Sequence, residues 1–131
     1  MSITIYIHVS TTPDQPTPYV VGGWALRHGT TFAQSHLRQI DEASSHAQGC
    51  IIQLLAAVTR VPVTKVKFDF VIPDASVVTM LCGGSEPKSR TMHGLVRQAR
   101  ALLASRTPNA RLRAGRIYEM EGIPEGEDLW A

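Results

Sequence analysis

The sequence predicts an α/β fold, a five-stranded mixed sheet flanked by helices. Residues 2–40 alternate apolar and polar side chains with the period of strands. Residues 47–58 and 89–105 repeat apolar side chains with the period of a helix, and residues 66–72 form an apolar run typical of a buried strand. A length of 131 residues suits one ordinary core, so we expect a single domain over residues 1–131.

The N-terminal part of the chain predicts an antiparallel meander of three strands. Residues 2–10 form the first strand, residues 19–27 the second and residues 31–40 the third. A loop with three prolines separates the first two strands, and a tight-turn signal at residues 28–30 links the second to the third. Sequential strands with such connections pair side by side.

Helices and strands alternate in the rest of the chain. The expected elements are a helix over 47–58, a fourth strand over 66–72, a short helix over 74–81, an amphipathic helix over 89–105 and a fifth strand over 111–118. The first of these helices has three alternative caps, Asp41, Ser44 and Ser45, and it ends before Pro62. Because crossovers between parallel strands are right-handed, the fourth strand returns beside the first and parallel to it, which gives the sheet order 3-2-1-4-5.

Composition and cysteine usage favour a cytoplasmic protein. The hydrophobic content is 44%, as in soluble globular domains. No apolar run approaches the roughly 20 residues that a membrane-spanning helix needs, and the N-terminus lacks the basic start of a signal peptide. Cys50 and Cys82 fit no metal-binding spacing and lie in apolar stretches, so both are predicted to be buried, reduced thiols.

Charge is distributed unevenly along the C-terminal half. Eight basic residues and no acid lie between Lys88 and Arg116, whereas five acids and no base lie between Glu119 and Asp128. A basic run of this kind favours an anionic partner such as nucleic acid. The alternative is that both runs are solvated surfaces that neutralise each other. The candidate phosphate contacts are Arg90, His93, Arg97, Arg100 and Arg113.

Four segments of the chain resemble segments of one known enzyme family. Residues 5–10 have Ile-Tyr-Ile-His-Val-Ser where the family has Ile-Tyr-Thr-Asp-Gly-Ser. Residues 45–57 resemble the Ser-x-Ala-Gln-x-x-Glu-Leu helix of retroviral members or the Met-Glu-Leu-Met-Ala-Ala helix of bacterial ones. Residues 71–78 resemble Ile-x-Thr-Asp-Ser-x-x-Val, and residues 122–131 resemble the Gly-His-Pro-Glu-Asn loop with its acidic helix. Together these segments make the chain similar to ribonuclease H, of both the cellular type 1 and the retroviral kind. The resemblance implies the ribonuclease H fold over nearly the whole chain.

The resemblance also implies a metal site for which this chain supplies few carboxylates. Ribonuclease H uses four carboxylates to bind two Mg²⁺ ions, which activate a water and stabilise the leaving oxygen of the phosphodiester. Asp74 matches the acid after the fourth strand, Asp128 is the candidate for the last acid, and His8 stands where the first strand would supply the bridging Asp. The helix Glu maps to Ile51 in one alignment and to Gln53 in the other.

These matches make Asp74, Asp128 and His8 the candidate catalytic residues, with Asp74 and Asp128 as the metal ligands. Mg²⁺ prefers oxygen ligands, so a neutral imidazole is a poor replacement for a bridging carboxylate. We therefore expect that no cofactor is required, and that Mg²⁺ or Mn²⁺ acts only if hydrolysis is retained. The alternative roles are a helix N-cap for Asp74 and a half-buried strand residue for His8.

The alignment predicts where two of these side chains meet. His8 and the strand before Asp74 belong to neighbouring parallel strands, which lie about 4.8 Å apart. Both side chains are therefore expected at the same end of the sheet. If they point to opposite faces, the alignment of the first strand is shifted by one residue.

Three functions are compatible with these observations. The first is a domain that binds RNA–DNA hybrid or duplex and has lost hydrolysis, and the basic run favours it. The second is a divergent metal-dependent nuclease that uses Asp74 and Asp128 with Asp69 or His8. The third is an interaction scaffold that forms a homodimer through an exposed edge strand.

Overall fold

A mixed sheet with helices packed on one face makes up the computed structural model, which describes residues 2–11, 20–28, 31–41, 43–61 and 66–116. The elements in chain order are β1 Ser2–Thr11, β2 Val20–His28, β3 Thr31–Gln34, β4 Arg38–Gln39, α1 His46–Arg60, β5 Lys67–Ile72, α2 Ala75–Leu81, α3 Arg90–Arg106 and β6 Arg111–Ala114.

The sheet has the predicted topology. Its strand order is β3-β2-β1-β5-β6, with the short β4 paired to β2. β1 is antiparallel to β2 and parallel to β5, and β5 is parallel to β6. The predicted order 3-2-1-4-5 is confirmed, because β5 and β6 are the fourth and fifth predicted strands.

The third predicted strand, residues 31–40, is divided into β3 and β4 by one extra residue. β2 pairs Ala25 with Gln34 and then Gly22 with Arg38, so two residues of β2 oppose three of the partner segment. Ser35 fills the gap, because its hydroxyl accepts from the backbone N–H of Trp24 at 2.9 Å. Such a bulge interrupts the ladder without ending the meander.

Side chains alternate between the two faces of the sheet. Ile5, Ile7 and Phe70 point to the face that α1, α2 and α3 cover, where they form the hydrophobic core. On the opposite face, the strand register aligns one row of side chains across five strands: Gln34, Ala25, Tyr6, Val71 and Arg113. Among the described residues, all three helices contribute to the core on the first face, which we call the helical face.

Serine side chains cap α1 and α3. Ser45, one of the three predicted caps, accepts from the Gln48 N–H at 3.1 Å to begin α1, and Ser89 accepts from the Met92 N–H at 3.1 Å to begin α3. No helix in the described part of the chain is long and apolar enough to span a bilayer. Cys50 is buried and Cys82 is exposed, and both are free thiols, so the predicted burial of Cys82 is wrong.

Candidate functional site

Asp74 lies where the ends of β1 and β5 meet the start of α1. It follows β5 directly and caps α2. Its Oδ2 lies 3.5 Å from Nδ1 of His46, the first residue of α1. One turn further along α1, the Cys50 Sγ lies 3.8 Å from the same Nδ1. This end of the sheet therefore brings together one carboxylate, one imidazole and one thiol, with His8 of β1 nearby.

Asp74 uses one carboxylate oxygen entirely as a helix cap. Its Oδ1 accepts from the Ser76 N–H at 3.0 Å, the Ser76 hydroxyl at 2.6 Å and the Val77 N–H at 3.3 Å. An oxygen with three donors has no lone pair left for a cation. The N-cap role, which the sequence offered as an alternative, is therefore the one that this geometry favours.

The protonation states follow from burial and these contacts. Burial acts to raise the pKa of Asp74, but hydrogen bonds from Ser76, Val77 and His46 outweigh it, so the pKa lies below its usual value. Burial, followed by the charge of Asp74, raises the pKa of the Cys50 thiol to about 12. Burial and then the charge of His46 lower the pKa of His8. Cys50 is consequently a neutral thiol near neutral pH, and thiols in that form are poor nucleophiles and poor metal ligands.

His46 connects three elements, and it was not among the residues predicted from the sequence. Its Nε2 lies 3.2 Å from the carbonyl oxygen of Val9 in β1, and its Nδ1 faces Asp74 at the start of α2. A carbonyl oxygen only accepts, so Nε2 is the donor of that hydrogen bond. The signal that could have identified it is the four-residue spacing of His46 and Cys50, which places both on one face of α1.

His8 lies at the predicted end of the sheet but not on the face of Asp74. The register pairs Tyr6 with Val71, which brings His8 level with the residues that follow β5. Ile7 and Val9, its neighbours in β1, pack into the core under α1, so alternation points His8 to the opposite face. This geometry indicates that the strand-one alignment is shifted by one residue. The shift does not supply a carboxylate from the first strand, because neither neighbour of His8 is an acid.

The two candidate positions for the helix Glu lie in the core. Ile51 is 0% exposed and Gln53 is 2% exposed. A Cβ added at Gly22 would lie 3.2 Å from the Gln53 Oε1, so this amide packs against β2. The residues of α1 that interact with Asp74 are instead His46 and Cys50.

The described donors at this end of the sheet do not fit a pair of Mg²⁺ or Mn²⁺ ions. Two divalent cations close together need several anionic oxygen ligands, whereas the described groups beside Asp74 are its own capped carboxylate, the His46 imidazole and a neutral thiol, with His8 on the opposite face. Within the ranges that the structure describes, no group of three or more His, Cys, Asp or Glu side chains could hold a metal ion. Asp128 and its neighbour Glu127 lie outside the described residues.

Asp69, the further acid considered for a nuclease, is far from Asp74. It lies five residues earlier in the chain, which along a strand corresponds to roughly 16 Å. Its cross-strand neighbours are Thr4 and Arg111, and its side chain alternates away from Phe68 and Phe70 of the core. It therefore belongs to the opposite face of the sheet.

A second candidate site is the exposed flank of α3. Four of the five predicted phosphate contacts, Arg90, His93, Arg97 and Arg100, lie on this flank, and all four are exposed. Their spacing of three, four and three residues places them on one side of the helix. The residues that pack into the core are Met92, Val96, Ala99 and Leu103. None of the four basic side chains has an ion pair or hydrogen bond with another described residue.

The other members of the basic run have different positions. Arg106 donates hydrogen bonds to the carbonyl oxygens of Val58, Thr59 and Val61, so it caps the C-terminus of α1. Arg113 lies in the row with Tyr6 and Val71, on the face of the sheet opposite to α3. The predicted set of five phosphate contacts therefore does not form one surface, because Arg113 is separated from the other four.

Comparison with solved structures identifies the fold. LC11-RNase H1, isolated from compost by a metagenomic approach, matches with a TM-score of 0.68 and 11% identity over 90% of this chain and 86% of that one. RNase H1 from the halophilic archaeon Halobacterium salinarum matches with a TM-score of 0.67 and 16% identity over 91% and 89%. Prototype foamy virus protease–reverse transcriptase matches with a TM-score of 0.63 and 10% identity over 87% of this chain and 17% of that one.

These similarities define the class of fold. No protein-family model matches the chain, and no curated protein matches it in sequence. The chain has a ribonuclease H-like fold, as the sequence resemblance implied, and its sequence is highly divergent from those of its structural neighbours. LC11-RNase H1 has also been solved in complex with an RNA/DNA hybrid, and that structure matches with a TM-score of 0.59.

Proposed function

We propose that this protein is a ribonuclease H-like domain that binds RNA–DNA hybrid or duplex nucleic acid through its phosphates and does not hydrolyse it efficiently. The observation that carries the proposal is the flank of α3. Arg90, His93, Arg97 and Arg100 are exposed together, and none of them has an ion pair with another described residue. Basic side chains without ion pairs to described residues suit phosphate contacts when they share one side of a helix, and such contacts fix a protein on nucleic acid without reading its sequence.

The loss of hydrolysis in this proposal follows from the chemistry around Asp74. Its Oδ1 is occupied by Ser76 and Val77, and its Oδ2 faces His46. With no convergent set of carboxylates among the described residues, binding is proposed to need no metal cofactor. A solved structural neighbour in complex with an RNA/DNA hybrid supports the choice of partner. The proposal includes a cytoplasmic location, in line with two free cysteines.

A salt titration of binding tests the proposal. We expect the affinity for a fluorescently labelled hybrid, measured by anisotropy, to fall steeply with salt, and each lost phosphate contact to reduce the log–log slope by roughly 0.9. The double change Arg97→Ala with Arg100→Ala should weaken binding and reduce the slope. Arg111→Ala removes the same kind of charge on the opposite face of the sheet and serves as the matched control.

The scaffold hypothesis is the outcome that would replace this proposal. If the protein binds neither hybrid nor duplex at low salt and sediments as a stable dimer, the fold serves protein association. β6 is then the edge strand to examine, because Arg111, Arg113 and Ala114 are exposed there.

A further inference from the structure

A cleft of about 430 Å³ lies beside the flank of α3. Gly83 and Glu86, from the segment between α2 and α3, line one wall, and His93, Arg97 and Arg100 of α3 line the other. We call it the α2–α3 cleft. Its volume is within the range of roughly 300–1,000 Å³ that is usual for small-ligand sites. Arg90 belongs to the same flank of α3 but does not line the cleft.

The wall formed by Gly83 is fixed by the way α2 ends. The Gly84 N–H donates to the Thr79 carbonyl at 2.8 Å, and the Gly83 N–H donates to the Met80 carbonyl at 3.2 Å. These two bonds, with a φ of +83° at Gly83, form a Schellman motif. The segment that follows the motif lines the cleft together with the arginines of α3.

Gly83 also leaves room for Arg100. A Cβ added at Gly83 would lie 2.9 Å from the Arg100 Nη2, so any larger residue would displace the guanidinium. The left-handed backbone at Gly83 disfavours such residues as well. The guanidinium of Arg100 therefore lies against the backbone of the turn, at the edge of the cleft.

We propose that the α2–α3 cleft binds a single phosphate group, with Arg97, Arg100 and His93 as its donors and Gly83 as a positioning residue. Arginine presents several N–H donors in a planar fork that matches phosphate oxygens. Arg97 and Arg100 have no ion pair with any residue that the structure describes, so their donors remain available. The inference rests on the proposed function in that the phosphate belongs to a nucleic-acid strand.

The charge of Glu86 provides a second, independent test of what the cleft binds. Glu86 lines the cleft and forms no ion pair with a described residue, so its charge opposes an incoming anion. Neutralising it as Glu86→Gln should strengthen phosphate binding, whereas a cleft that holds a cation or a neutral ligand would respond in the opposite way or not at all.

The test is a titration of the full-length protein with inorganic phosphate, followed by NMR through the arginine side-chain N–H groups and the His93 ring. Arg97→Ala and Arg100→Ala should each weaken phosphate binding by about tenfold, the effect of losing a hydrogen bond to a charged group. Arg111→Ala should leave it unchanged, Glu86→Gln should strengthen it, and Gly83→Ala should weaken it. Arg100→Ala tests the same wall if Gly83→Ala does not fold.

The outcomes separate this inference from the proposed function. Equal small effects of Arg97→Ala, Arg100→Ala and Arg111→Ala would mean diffuse charge attraction, and the inference would be overturned. If Arg97→Ala and Arg100→Ala weaken hybrid binding but inorganic phosphate leaves the arginine and His93 signals unchanged, the cleft does not hold a single phosphate although the proposed function stands. If inorganic phosphate binds in the cleft and no polynucleotide binds, the cleft is an anion site and the proposed function fails.

Discussion

At the scale of single residues, the proposed loss of hydrolysis depends on what Asp74 does. Its cap contacts to Ser76 and Val77 could be anticipated from the sequence, whereas its contact to His46 could not. The sequence indicated an acid between a strand and a helix, and both a metal ligand and an N-cap were possible there. The contact with His46 could not be predicted, because it depends on how the start of α1 is placed against the ends of β1 and β5.

The cap role of Asp74 predicts a specific pattern of stability. Asp74→Ala should lower the free energy of unfolding by about 1 kcal/mol, whereas Asp74→Asn should retain most of the stability because asparagine also caps helices. Urea unfolding at neutral pH measures both. Equal losses in the two variants would show that the negative charge, not the cap, is what stabilises this end of the sheet.

The same residue predicts part of the pH dependence. The pKa of Asp74 is lowered in the folded protein. Its stabilising contribution is therefore present above the pKa of the unfolded chain and is lost as the pH falls through the folded pKa. Unfolding of Asp74→Asn as a function of pH should lack this acidic loss. An unchanged acid profile in the variant would contradict the assignment.

At Gln53, the glutamate that ribonuclease H has in this helix should destabilise the fold. Gln53 is 2% exposed, and its Oε1 has no hydrogen-bond partner among the described residues. Gln53→Glu would place a carboxylate in the core and should lower the free energy of unfolding by at least about 2 kcal/mol. Gln53→Met, an apolar residue of similar length, should be neutral or stabilising. Thermal unfolding of the two variants measures this, and a stable glutamate variant would contradict the placement of Gln53.

At the scale of elements, α3 combines structural and exposed cations in one basic run. Its periodicity predicted the core face correctly, and Ser89 was predicted as its start. The separate role of Arg106 was not predictable, because its three acceptors lie more than forty residues away in sequence, at the end of α1. The division of the third predicted strand into β3 and β4 could not be predicted either, because it depends on a single extra residue in the pairing with β2.

The two roles within α3 should separate experimentally. Arg106→Ala removes hydrogen bonds from a charged donor and should lower the free energy of unfolding by about 1.5–3 kcal/mol. Arg97→Ala removes an exposed side chain and should change it by less than about 0.5 kcal/mol. Denaturant unfolding and hybrid binding measured on both variants test the assignment. Equal destabilisation by Arg97→Ala and Arg106→Ala would contradict the two assigned roles.

At the scale of the whole molecule, the fold could be predicted from the sequence, whereas three functions remained compatible with it. Apolar periodicity, the crossover rule and four weak sequence similarities together specified the sheet order that the structure has. Periodicity survives divergence because the core must remain apolar on fixed faces. The chemistry of a site depends on a few side chains, and the same fold hosts many functions, so the resemblance alone did not define the activity.

The acidic C-terminal segment provides a prediction about the whole chain. Glu119, Glu121, Glu125, Glu127 and Asp128 are acidic neighbours in sequence of the basic run. If they compete with phosphate for the arginines, deletion of residues 121–131 should strengthen binding of hybrid and steepen its salt dependence. Anisotropy titrations of full-length and truncated protein compare the two. Weaker binding after truncation would mean that the segment contributes to the binding surface.

The most direct test of the central claim is to measure binding and cleavage on the same labelled RNA–DNA hybrid, in the presence of Mg²⁺ and of Mn²⁺. We expect salt-sensitive binding with no accumulation of cleaved product, because the groups around Asp74 that the structure describes do not supply the anionic ligands that two cations require. Robust metal-dependent cleavage by the wild-type protein, abolished by Asp74→Asn, would contradict it.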